Sequence, residues 1–306
     1  MLGEGIDAVN ETIMISLVGE QPIPNLLAVL YAKPLHAVWV CTDRTEKISQ
    51  RLCSVLKERN ISVEDEPVNV APYDMVDIEN KIKAFIEKKK WVPGKIIFNL
   101  TGGTKPMALA SYRLAEQFSC PFLYVQSEGK KSVIYYYQFT ERGPELKNES
   151  EIPPVLDIDL YIKAYHDNYT ETNEFKNKFE EMVHAVLKAE LDEVKNSVKP
   201  VPQLGGLEID LALRCGNCVG IAEVKTGNKA RSKEGIEQII AAAEQRFLGT
   251  YIEKFLILDR EYEQNNRQLA DAHRIKVIEL PSAQGGELTE EDRRKLVDEV
   301  KKALGG

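Results

Sequence analysis

In the first half of the chain, short apolar runs of strand length alternate with stretches of helical period. The strand candidates lie at 13–18, 37–41, 63–70, 96–100, 122–125 and 133–139. Between several of them apolar residues recur every three or four positions, as at 46–59 and 77–90. Strands separated by helices predict a parallel, doubly wound sheet. The last two runs, joined by QSEGKKS, predict an antiparallel hairpin at its edge. The polar, proline-containing ERGPELKNESEIPPVLD predicts a linker. The expected division is a Rossmann-like α/β domain over 1–145, a linker over 146–165 and a second α/β domain over 166–306, with the first ten residues poorly ordered.

In the second domain the pattern predicts a helix over 175–189 and a strand or turn over 197–202. Two strands follow within LEIDLALRCGNCVGIAEVK, residues 207–225. Then come a helix (234–247), a strand (254–258), a helix (265–273), a strand (276–280) and a last helix (289–303).

Gly216-Asn217 is a two-residue turn signal, and such turns fix the register of the strands they join. Cys215 then faces Cys218, Ala212 faces Ile221, and Asp210 faces Glu223. The pleat has period two, so Asp210, Glu223 and Lys225 share one face. Ile209, Leu211, Leu213, Ala222 and Val224 form the opposite, core face. Facing carboxylates have Cβ atoms about 4.5–5.5 Å apart and repel by roughly 0.2–1 kcal/mol. A divalent cation reverses that sign, because it takes several oxygen ligands at once. A neighbouring ammonium can hold a water or stabilise charge developing on a phosphate. The same residues would also suit a solvated hairpin face. Cys215 and Cys218 have metal-like spacing, but zinc needs two more ligands and no second CxxC or HxxxH pair exists. They read as hairpin residues.

The flanks add polar groups. In NKFEEMVHAVL the apolar stripe is Phe179, Met182, Val183, Val186 and Leu187, which puts Glu180 on its flank and Glu181 in water. After the hairpin, Lys229, Arg231 and Lys233 could guide a phosphate backbone or simply be solvated, and Gln238 could reach the site.

Composition narrows the classes. With 43% apolar residues the chain can bury ordinary cores. Its net charge of −8 argues against a broad, unspecific grip on nucleic acid but allows a local basic groove. No apolar run reaches the ~20 residues of a membrane span. The start, MLGEGIDAVNETIMISLVG, lacks the features of a secretion signal. Five cysteines, an odd number in mostly apolar contexts, fit a reducing compartment, so the expectation is a cytoplasmic protein.

The helix–hairpin–helix–strand order carrying Glu180, Asp210 and Glu223-Val224-Lys225 resembles the PD-(D/E)xK nuclease superfamily, the restriction-endonuclease-like fold. Ile209 stands where that family often has proline. The resemblance implies catalytic roles for all four polar residues, with Asp210, Glu223 and Glu180 on a metal ion.

The first domain has its own constellation. In KIIFNLTGGTKPMALASYRLAEQF a strand stops at Thr101-Gly102-Gly103-Thr104, and a helix starts at Lys105 or Pro106 with Thr104 as its N-cap. Glycines let the backbone approach a ligand closely, and free N–H groups at a helix start favour anions. The spacing is not that of the phosphate loop GxxxxGK[ST], and a tight strand-to-helix turn would look the same. No GxGxxG follows the first strand, so a dinucleotide enzyme is remote. The segments GEQPIPNLL (19–27), Thr42-Asp43-Arg44 and Ala71-Pro72-Tyr73-Asp74 end other strands at the same edge, where open α/β sheets bind ligands.

TGGTK on such a sheet, followed by a PD-(D/E)xK unit, resembles the CARF-domain nucleases of type III CRISPR systems, most nearly the single-CARF homodimers activated by cyclic tetra-adenylate. The resemblance implies a sensor for the cyclic oligoadenylate made by the CRISPR effector. It also implies a nuclease that degrades DNA and RNA with Mn2+ or Mg2+. For activator binding it implies Thr101, Gly102, Gly103, Thr104 and Lys105, and by position Gly19, Gln21 and Asn25. A ring of twofold symmetry is best met by an isologous dimer. Two other readings stay open: a sensor with an inactive nuclease fold that signals by conformation, and a ring nuclease acting on the activator.

Overall fold

The computed structural model describes residues 11–128, 130–201, 208–244 and 247–305. The expectation for the first ten residues, Pro202 of the expected strand and Leu207 of the hairpin segment lie outside them. The chain divides into two units, one ending at Val155 and the other beginning at Leu156.

In the first unit the order is β1 (Ile13–Leu17), α1 (Ile23–Ala32), β2 (His36–Cys41), α2 (Glu46–Glu58), β3 (Val68–Asn69), α3 (Met75–Lys89), β4 (Ile96–Asn99), α4 (Lys105–Phe118), β5 (Phe122–Glu128), β6 (Lys131–Thr140) and β7 (Gly143–Glu151). The sheet runs β3-β2-β1-β4-β5-β6-β7. Strands β1 to β5 are parallel, and β6 and β7 are antiparallel additions. Every residue of β1 and β4 is buried, as strands covered on both faces require. Their side chains meet Ile78, Ile82 and Ile86 of α3 and Met107, Ala110 and Leu114 of α4 in one core.

Two expectations are corrected here. The strand expected over 63–70 shrinks to Val68–Asn69 plus an isolated bridge from Val63 to Ala37. Between them lie Glu64, Asp65, Glu66 and Pro67, and proline has no N–H to give a ladder. The expected linker over 146–165 instead holds the end of β7, which pairs with β6, and the whole of α5 (Ile158–Tyr165). Polarity hid β7. Its burial alternates with period two on either side of a slip at Leu146 and Lys147, and a charged outer strand is how sheets protect an edge.

The second unit continues with β8 (Asn168–Thr170), α6 (Lys178–Glu190), β9 (Glu193–Val201), β10 (Ile209–Cys215), β11 (Cys218–Lys225), α7 (Glu234–Ala242), β12 (Glu253–Leu258), α8 (Gln264–Ala272), β13 (Lys276–Glu279) and α9 (Glu290–Leu304). Its sheet runs β13-β12-β11-β10-β9-β8, with β11, β12 and β13 parallel and the remaining pairs antiparallel. On one face α6 and α9 pack Phe179, Val183, Leu187, Leu296 and Val300 against Leu211, Leu213, Ala222, Val224 and Phe255. Leu211, Leu213, Ala222 and Val224 are inward residues of the hairpin, and Phe255 belongs to β12. Helix α7 ends at Ala242, short of the expected 247, and Gln245 and Arg246 of that expectation lie outside the described residues.

Candidate functional site

The hairpin turn works as the dipeptide predicts. Gly216 takes φ +60°, and the register pairs Cys215 with Cys218, Ala212 with Ile221 and Leu211 with Ala222. One step further, the side chains of Asp210 and Glu223 meet the same ammonium, that of Lys225. Their face is not solvated. Asp210 is 1% exposed, Glu223 4%, Lys225 7% and Glu180 0%. Helix α7 contributes to that burial at Gly235, where a Cβ would stand 2.6 Å from Leu256 Cδ1 and 3.3 Å from Lys225 Cγ.

Charges organise the cluster. Lys225 Nζ donates to Glu223 Oε2 at 2.7 Å and lies 3.5 Å from Asp210 Oδ2, which also accepts from Val224 N–H at 2.9 Å. Burial alone would raise the Asp210 pKa. The Glu223 hydrogen bond, the ammoniums of Lys225 and Lys176 and the Val224 N–H outweigh it and hold the carboxyl below its ordinary value. Glu223 goes the other way: burial and the Asp210 charge push it up to about 8. Glu180 is also raised, by burial and then by Asp210. Its Oε2 accepts from the Lys176 N–H at 3.2 Å, while its Oε1 is buried without a hydrogen-bond partner.

Among the described residues, no three acid, histidine or cysteine side chains form a ready-made metal cage. The donors nevertheless fit a hard divalent cation. Two carboxyl groups buried on one face of a strand pair would be relieved by a cation, and Glu180 Oε1 is a buried oxygen without a hydrogen-bond partner. The ligands would be Asp210 and Glu223, with Glu180 at the edge.

Sequence reasoning missed Lys176 and Glu208. Lys176 Nζ donates to Asp210 Oδ1 at 2.5 Å and reaches Glu208 Oε1 at 3.0 Å. Glu208 was findable, two residues before Asp210 and so on its face of the strand. No pattern announces Lys176, which precedes the helix cap Asn177. The basic residues Lys229, Arg231 and Lys233 are exposed. Their loop is pinned by Thr226 Oγ1 on Asp259 Oδ2 at 2.6 Å, Tyr262 Oη on Ser232 O at 2.8 Å and Asn266 Nδ2 on Arg231 O at 3.0 Å. Gln238 keeps its Oε1 buried and without a hydrogen-bond partner.

In the first unit the glycine turn lies where strand order reverses, between the carboxyl ends of β1 and β4. That switch point is the ligand crevice of open α/β sheets. The expected residues converge there: a Cβ on Gly19 would stand 3.2 Å from Gly103 N, and one on Gly102 would stand 2.5 Å from Asn25 Nδ2. Gly103 takes φ +74°. Thr104 caps α4, accepting from Met107 N–H at 3.3 Å and donating to Pro72 O at 2.6 Å. Lys105 is exposed on the first turn of α4, and Gln21 is half-buried. Asn25 lies under the crevice with no exposed surface, its Nδ2 on Leu17 O at 2.8 Å.

Asn99, also missed, is the hub below the turn. Its Oδ1 accepts from Thr101 N–H at 3.1 Å and Thr101 Oγ1 at 2.5 Å, and its Nδ2 reaches Ser16 Oγ at 3.3 Å and Asn25 Oδ1 at 3.4 Å. Thr101 Oγ1 accepts in turn from Val125 N–H at 2.9 Å. Asn99→Leu strands these groups and is expected to cost about 1–3 kcal/mol in a urea unfolding experiment.

Residues 13–161 match the family model of the Card1 CARF domain, so the chain carries a CARF domain. Over 98% of this chain and 99% of the other, the fold resembles Can2 from Sulfobacillus thermosulfidooxidans, solved in complex with cyclic tetra-adenylate, at TM-score 0.74 and 14% identity. The protein VC1899 from Vibrio cholerae is similar over 97% of this chain and 100% of that one, at TM-score 0.74 and 16% identity. A type III CRISPR defence DNA nuclease activated by cyclic oligoadenylate is similar at TM-score 0.60 and 17% identity, over 82% of this chain and 45% of that one. At these identities the likeness is one of fold. No curated protein sequence matches the chain. No helix among the described residues is long and apolar enough to cross a membrane.

Proposed function

We propose that the chain is a cyclic oligoadenylate-gated, metal-dependent endonuclease of type III CRISPR defence, acting on DNA and RNA as a homodimer. The observation that carries this reading is the buried Asp210–Glu223–Lys225 cluster, with Glu180 beside it, in a chain that also carries a CARF domain. Two acids and an ammonium buried together on a strand pair are costly unless the site uses them. The printed descriptions of the similar structures, a cyclic tetra-adenylate complex and a nuclease activated by cyclic oligoadenylate, point the same way.

Mn2+ or Mg2+ on Asp210 and Glu223 would supply positive charge where a phosphodiester develops negative charge. The chain's own groups do the rest. Val224 N–H and Lys225 fix the Asp210 carboxylate, and Lys225 in turn is held by Glu223. Placed so, the Lys225 ammonium can orient the attacking water and stabilise charge on the phosphate. Lys229, Arg231 and Lys233 lie on the pinned loop after Lys225, where a backbone could be guided. In the CARF domain, Thr101 to Lys105 with Gly19 and Gln21 would meet half of the cyclic tetra-adenylate ring, and the partner's equivalent turn the other half. The ring must favour one arrangement of the dimer over another to gate anything.

One observation favours a sensor that signals by shape alone: both Asp210 oxygens are already occupied by protein donors. A single experiment separates the readings. A labelled plasmid and an RNA are incubated with Mn2+, with and without cyclic tetra-adenylate. Cutting that needs both additions is expected. No cutting under any divalent metal, despite tight activator binding, would favour the sensor.

A further inference from the structure

Asp210 is saturated by two ammoniums of different freedom. Lys225 approaches Oδ2, and its side chain is 8% exposed, clamped by Glu223. Lys176 takes Oδ1 at 2.5 Å, and its side chain is 49% exposed. The backbone around Lys176 is anchored: Phe175 packs its ring on His184 at 5.0 Å, Asn177 caps α6, and the Lys176 N–H is held by Glu180. Only its four-carbon stem needs to move. Glu208 Oε1, 3.0 Å from Nζ, offers a seat outside the site. A divalent cation on Asp210 Oδ1 would meet the Lys176 ammonium at contact distance, and like charges there repel strongly.

We propose that Lys176 is a built-in competitor for the cation. It occupies Asp210 Oδ1 in the metal-free chain, turns out to Glu208 when a divalent ion binds, and so sets the metal concentration the site requires. The inference rests on reading Asp210 and Glu223 as cation ligands. It adds a residue that tunes metal affinity without being a ligand.

The test is Mn2+ binding to the full chain, without nucleic acid or activator, followed by titration calorimetry or by the spin-resonance signal of free Mn2+. Lys176→Met keeps the stem and removes the charge. It is expected to bind Mn2+ about tenfold more tightly than the wild type, the scale by which groups around a metal's ligands shift affinity. Lys176→Arg, which keeps the charge, is expected to stay near the wild type. Wild-type binding that Asp210→Asn abolishes but Lys176→Met leaves unchanged or weakened would overturn the competitor while sparing the metal site. Absence of Mn2+ binding in both the wild type and Lys176→Met would overturn the metal site and this proposal with it.

Discussion

Asp210→Asn is expected to lower metal-dependent cutting by about 100-fold or more while activator binding stays at the wild-type level. Asparagine keeps the volume of the side chain and an oxygen for Val224 N–H, which Asp210 accepts at 2.9 Å. What it removes is the charge that Lys176 and Lys225 meet and that a bound cation would need. Leaving a buried charge without its partner costs about 3–5 kcal/mol. Here the loss is expected below that range, because Lys225 retains Glu223 at 2.7 Å and Lys176 retains Glu208 at 3.0 Å. Lys225→Met should also lose cutting, with a larger effect on folding, since Asp210 and Glu223 then face each other with no ammonium between them. Gel assays of plasmid and RNA, a melting curve and a cyclic tetra-adenylate titration on each variant check the three parts of this expectation. Full cutting by Asp210→Asn would remove the site assignment.

The hairpin was legible because two local rules agree there. The Gly-Asn turn fixes register, and period two then places Asp210, Glu223 and Lys225 on one face. The parallel sheet was legible from strands separated by stretches of helical period, and the ligand crevice from the glycine turn ending one of them. What stayed hidden depends on distance along the chain. Lys176 meets Asp210 across 34 residues, and Asn99 meets Ser16 across 83 and Asn25 across 74. The burial of the acid face was equally unreadable, because part of it comes from Gly235 letting α7 approach Lys225. Strand β7 was hidden for another reason: an edge strand needs one pairing partner and no apolar face, so its composition is that of a linker.

Gly102→Ala is expected to be the most damaging small change in the CARF domain. A Cβ there would stand 2.1 Å from Leu17 O, 2.5 Å from Asn25 Nδ2 and 3.0 Å from Gly19 N. The first two atoms are the ends of a 2.8 Å hydrogen bond that ties α1 to β1, so the methyl group collides with backbone and polar anchor together. Overpacking of this kind costs about 1–3 kcal/mol. The turn can relieve it only by moving away from β1, which opens the crevice where a Cβ on Gly19 would now stand 3.2 Å from Gly103 N. Cyclic tetra-adenylate affinity is therefore expected to fall tenfold or more, since each 1.4 kcal/mol of misplacement is a factor of ten. Gly94→Ala is the matched control, because a Cβ there meets nothing within 4 Å, and its stability is expected to stay within about 0.5 kcal/mol of the wild type. If Gly102→Ala melts and binds the activator like Gly94→Ala, the glycines of this turn are not held by contact with β1, and the crevice must be built some other way. If it loses binding while Mn2+ still binds the second unit as in the wild type, the sensor has been disabled and the metal site left intact.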